Sequence, residues 1–119
     1  MNSKIRYMYV RDAQWDPCGC MVITVNRDRN QATYGLSIRN PVDATDKLNR
    51  RVKFDRKTAQ SLALRRLLEN PQHAYIAKGA TQHEISAAVL RDIIASDFAP
   101  SRAVRFAKRW LEVAAYFYA

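Results

Sequence analysis

Period-two alternation dominates the first third of the chain. Over residues 4–11, Ile5, Tyr7 and Tyr9 alternate with Arg6, Met8 and Val10, an aromatic-rich pattern that predicts a strand. A turn is expected over residues 12–17, with Asp16-Pro17 its strongest signal. Residues 20–27 are apolar on both sides: Met21, Ile23 and Val25 on one, Cys20, Val22 and Thr24 on the other. That is the pattern of a strand covered on both faces. After a polar turn, Ala32, Tyr34, Leu36 and Ile38 alternate with Thr33, Gly35, Ser37 and Arg39, predicting a half-buried strand with one polar face. Three strands on short turns predict an antiparallel meander.

Beyond Asn40-Pro41 the period changes. Residues 42–54 fit either a short helix capped by Asp43, carrying Leu48 and Val52 on one side, or an extended, flexible basic loop. From Asp55, an N-cap residue, Ala59, Leu62, Ala63 and Leu67 form a helical stripe that stops before Pro71. Residues 73–78 predict a short fourth strand that could join the sheet edge. Thr81 and Glu84 then form a capping box at the head of a helix carrying Ile85, Val89, Leu90, Ile93 and Ile94. Ser101 caps a last helix with a polar stripe of Arg102, Arg105, Arg109, Glu112 and Tyr116 and two apolar faces. The order βββ-α-β-αα predicts one α+β domain over residues 1–119, with the helices against one face of the sheet.

Composition adds little to the fold and more to the partner. The 119 residues include 20 Lys and Arg against 11 Asp and Glu, a net charge of +9. A balance this basic suits a polyanion and says nothing of fold. Residues 47–66 hold eight of those cations, Lys47, Arg50, Arg51, Lys53, Arg56, Lys57, Arg65 and Arg66, against the single acid Asp55. The run lacks the alternating acids that pair a merely solvated helix face. On the expected helix, Lys57, Ser61, Arg65 and Glu69 share an outer edge, flanked by Arg56 and Arg66. Arg102, Arg105 and Arg109 make a second basic stripe, which supports the first if the two share a surface. Trp15, in a polar turn, is a candidate contact to a base or a protein.

Other chemistry finds less footing. Cys18 and Cys20 with His73 and His83 match no structural zinc spacing and read as packed small hydrophobes. His83 lies at a helix start, and Asp12, Asp16, Asp43 and Asp46 have turn or cap roles, so no catalytic residue, metal or cofactor is expected. The N-terminus has no signal-peptide core and no apolar run reaches membrane length, so the expected setting is cytoplasmic with no membrane partner.

At CGCMVITVN and ATYGLSIRNPVD, and again at SRAVRFAKRWLEVA, the sequence resembles small accessory proteins of tailed phages and prophages. The resemblance covers about half the chain and leaves out the basic insert at residues 44–53. It implies a small non-enzymatic binder that engages host nucleic acid, polymerase, nucleases or defence complexes, and it supplies no catalytic residues. The expected function is therefore contact with nucleic acid or a nucleoprotein complex through the 47–66 and 102–109 surface. The alternative is a protein–protein modulator of a host or CRISPR-type defence complex, anchored by Trp15, Trp110 and Phe117. A homodimer through the second apolar face of the last helix is compatible with either.

Overall fold

The computed structural model describes residues 5–118, side chains at 42, 117 and 118 excepted, so Lys4 of the expected first strand and the Phe117 side chain lie outside the described residues. The strands are β1 (Arg6–Arg11), β2 (Pro17–Asn26), β3 (Gln31–Ile38) and β4 (Gln72–Tyr75); the helices are α1 (Arg56–Glu69), α2 (Gln82–Ala95) and α3 (Ser101–Tyr118). The order is βββ-α-β-αα, and the strands form one antiparallel sheet in the order β1-β2-β3-β4. β4 pairs with β3 at the sheet edge, from Gln31 opposite Tyr75 to Tyr34 opposite Gln72. No helix among the described residues is long and apolar enough to cross a membrane.

The helices do not all lie on one face. α2 and α3 pack together over the side formed by Val10, Met21, Ile23, Tyr34 and Leu36, completing the main core with Ile85, Val89, Leu90, Ile93 and Phe106. α1 covers the other side, where Cys20 and Val22 meet Ala59 and Ala63. The expectation of a one-sided sheet is corrected by the supposedly polar face of β3. Gly35 and Ser37 are buried there, and a Cβ on Gly35 would stand 2.3 Å from the Ala63 carbonyl oxygen. The missing side chain thus lets the α1 backbone lie directly on the strand. Ser37 Oγ donates to the Ala59 carbonyl at 2.9 Å, so its burial leaves no orphan hydroxyl.

The stripe of α1 shifts accordingly. Small residues Ala59 and Ala63 are the buried ones, Leu64 and Leu67 flank them, and Leu62, expected inside, is exposed. Asp55 caps the helix by accepting from the Lys57 and Thr58 amides at 3.0 and 3.3 Å. The α2 capping box forms as expected: Thr81 accepts from the Glu84 amide at 3.2 Å and Glu84 from the Thr81 amide at 3.1 Å.

Residues 42–54 do not form the Asp43-capped helix. A short 3-10 turn over Pro41–Ala44 leads into a loop folded back on itself by a bridge between Thr45 and Arg51. The Asp46 carboxylate organises it, accepting from the Leu48 and Arg50 amides and from Arg50 Nε at 2.7 Å. Leu48 and Val52 are both exposed, so no apolar stripe exists here to hold a helix against the body.

Candidate nucleic-acid interface

Antiparallel register brings three chain positions to one end of the sheet. Arg11 ends β1 opposite Pro17 at the start of β2, and Ile38 ends β3 opposite Gly19. α1 starts at the same end, since Ala59 sits over Ser37 while Ala63 sits over Gly35. α3 starts there too: Arg102 Nη1 donates to the Arg39 carbonyl at 3.3 Å. Both helix N-termini therefore add their positive dipole ends to the cations gathered around them.

The β1–β2 turn at residues 12–16 is the centre of this end. Asp12 Oδ1 accepts from the Gln14 and Asp16 amides, both at 3.0 Å, which closes the turn. Arg11 Nη1 donates to the Trp15 carbonyl at 3.0 Å, and Arg109 Nη1 to the Ala13 carbonyl at 3.2 Å. Trp15 takes φ 66°, a region a bulky residue rarely occupies. Its indole contacts Phe106, centroids 5.8 Å apart, and the Arg109 guanidinium, 4.6 Å from the ring centroid. It remains 40% exposed.

Two clefts flank this turn. The first, about 410 Å³, lies between the turn and α3 and is lined by Arg11, Asp12, Arg102, Arg105, Phe106 and Arg109 among others. The second, about 520 Å³, lies between the turn and the loop before α1, with Arg39, Arg51, Lys53, Phe54, Arg56 and Arg102 in its wall. Arg102 and Asp12 belong to both. A shallower depression over residues 53–57 continues the second cleft through Lys53, Phe54 and Arg56 to Lys57. The result is one basic tract that wraps from α3 around the sheet end to the start of α1.

Its opposing charges are few. Asp16 pairs with Arg51 at 3.4 Å, an exposed contact of small energetic weight, and Asp12 is occupied by turn amides. Arg39 holds the second cleft in shape. Its Nη1 donates to the Val52 carbonyl at 2.9 Å, its guanidinium lies 5.6 Å from the Phe54 centroid, and its backbone amide donates to Cys18 O at 2.7 Å. Its Nε is buried without a protein acceptor among the described residues. Arg56 lies over Tyr9 at 4.9 Å, tying the first turn of α1 to the sheet.

Of the residues singled out by sequence, the fold gathers Arg51, Lys53, Arg56, Lys57, Arg102, Arg105, Arg109 and Trp15 along this tract. It sets the rest apart. Arg50 is bound to Asp46 and Lys47 lies exposed near the loop tip. Arg65 is on the exposed side of α1, and Arg66 reaches back to donate to the Leu36 carbonyl at 2.7 Å. Arg109 contacts the turn, so a pairing with Glu112 is not needed to explain it. Arg11 and Arg39 also line the clefts, each a lone cation outside the basic runs of the sequence. A signal existed: in a three-stranded meander the first and third strands end on the same side, and Arg11 closes the first while Arg39 directly follows the third.

The remaining candidates are placed elsewhere. Trp110, half-buried, stacks on His83 at 4.9 Å and packs against the main core rather than standing out as an anchor. Cys18 packs in the main core and Cys20 beneath α1, because an irregularity in the β1–β2 pairing between Val10 and Arg11 shifts the side-chain alternation. No group of three or more His, Cys, Asp or Glu among the described residues is placed to hold a metal ion. Burial pushes the Cys20 thiol up to about 11 and raises Cys18 as well. Both thiols are therefore expected to resist a thiol-specific disulfide reagent at pH 8 and to react within seconds in denaturant. Rapid labelling of the native protein would contradict the burial described. No match to the chain was found among protein-family models, curated proteins or solved structures.

Proposed function

We propose that this chain is a small, non-enzymatic binding protein of the cytoplasm that contacts nucleic acid, alone or within a nucleoprotein complex, along the basic tract at the turn end of its sheet. The supporting observation is the convergence itself: cations from segments far apart in sequence line adjoining clefts that share Arg102. Guanidinium groups held in place beforehand bind phosphate oxygens with less ordering cost than free side chains, and their planar forks suit those oxygens.

Fluorescence anisotropy with labelled oligonucleotides, titrated over increasing salt, tests this. Contact with about four phosphates predicts a log–log salt slope of about −3 to −4. Absence of binding at low salt, or binding indifferent to salt, would end the proposal. Recovery of a protein partner after nuclease treatment, with no affinity for nucleic acid, would instead assign the tract to an acidic protein face.

A further inference from the structure

We infer that the tract is built for a single strand rather than a duplex, with Trp15 as a stacking station for one base. The inference rests on the nucleic-acid reading above and specifies its ligand. Proteins that read a duplex commonly insert a helix or a two-stranded ribbon into a major groove about 12 Å wide. Here four of the six arginines on the basic helices, Arg56, Arg66, Arg102 and Arg109, are held against the body, and Lys57, Arg65, Arg105 and Lys108 are the exposed cations left on them. On α3 the 12–16 turn lies against Arg109, through Ala13 and Trp15. On α1, Arg56 lies on Tyr9 and Arg66 is folded back to Leu36. The loop before α1 spends Arg50 on Asp46 and presents Lys47 beside exposed Leu48.

What remains is concave. Cations line clefts between elements, and an aromatic ring accompanies each: Trp15 beside the first, Phe54 in the wall of the second. A charged groove that follows a backbone, with rings for successive bases, is the physical arrangement that holds a single strand. Trp15 carries the argument furthest. A non-glycine residue at φ 66° is costly in a turn where Asn or Gly would sit without strain, and three side chains hold it there. Asp12 closes the turn, Arg11 fixes the Trp15 carbonyl, and Arg109 lies on the indole. A partly exposed indole fixed beside a basic cleft of about 410 Å³ suits a nucleotide whose base stacks on the ring while its phosphate enters the cleft.

The test uses the chain's two tryptophans. Trp110→Phe leaves Trp15 as the sole indole reporter. This variant is titrated at low salt with a thymidine oligomer, a uridine oligomer and a DNA duplex of equal length. Single strands are expected to quench Trp15 emission and to bind about 10-fold or more tightly than the duplex. The two oligomers separate DNA from RNA. In the otherwise native chain, Trp15→Ala should lower single-strand affinity about 10-fold or more while Trp15→Phe retains most of it, because the ring and not the fold is at issue. Equal or tighter duplex binding, or saturation by a single strand with Trp15 emission unchanged, overturns the inference while leaving nucleic-acid binding intact. Failure of all three ligands to bind overturns both readings.

Discussion

Reversing Lys53 and Arg105 together, as Lys53→Glu with Arg105→Glu, is expected to lower nucleic-acid affinity about 100-fold or more at low salt. Both residues are exposed and they stand at opposite ends of the tract, Arg105 in the first cleft and Lys53 in the second. Neither makes a structural bond of the kind that ties Arg39, Arg102 or Arg109, so the loss should come without a fall in stability. Each reversal removes a phosphate contact and adds a repulsion, and about 1.4 kcal/mol corresponds to each tenfold loss. The salt slope should also become shallower by about 1.5, the share of two phosphates on a single strand. The control is Arg65→Glu with Lys78→Glu, which changes net charge equally but lies on exposed positions outside the tract. Anisotropy on both double variants decides the matter. Equal losses would mean that overall charge, and not the tract, governs binding.

Gly35→Val should destabilise the protein by about 3 kcal/mol, the upper range for forcing extra carbon into a packed interface. The added Cβ alone would stand 2.3 Å from the Ala63 carbonyl oxygen, 2.5 Å from the Leu67 amide nitrogen and 2.9 Å from Leu67 Cα. All three are helix backbone atoms, which cannot swing aside as a side-chain tip can. Relief requires α1 to lift, and lifting breaks the Ser37 bond to Ala59 and opens the small cluster under Ala59 and Ala63. Urea unfolding with Gly35→Ala as a milder companion measures this, and the expected order of midpoints is native, Ala, Val. An unfolding free energy for Gly35→Val within about 0.5 kcal/mol of native would show that α1 does not rest on the strand as described. Lifting α1 also disturbs Phe54 and Arg56 while leaving α3 in place, so the second cleft should lose binding before the first.

How much of this was legible from residues alone differs by element. β1 to β3 followed from alternation and turn residues, and the caps at Asp55 and Thr81 from local hydrogen-bond chemistry. The double-sided pattern of β2 already implied cover on both faces, yet the polar alternation of β3 argued for a bare one. Gly35 and Ser37 read as polar surface because their contribution is space and a single hydroxyl, not apolar area. Likewise the helical stripe of α1 set Leu62 beside Ala59 and Ala63, although close backbone approach buries only the small residues and leaves Leu62 exposed.

The basic tract shows the same division. Composition and charge runs identified a cationic protein and eight of the side chains that line or flank its clefts, including Trp15 as the turn aromatic. Sequence by itself determined the strands, the helix caps, the excess of positive charge and its concentration in two segments, since each is set by neighbours along the chain. Only the tertiary structure decided that α1 lies on the opposite face from α2 and α3, that Arg11 and Arg39 join the tract, and that Arg50, Arg65 and Arg66 leave it. Those outcomes depend on sheet register and on which group each guanidinium meets: the carbonyls that hold Arg66 and Arg102 lie 30 and 63 residues away, while Asp46 holds Arg50 from within the same loop once that loop folds back on itself.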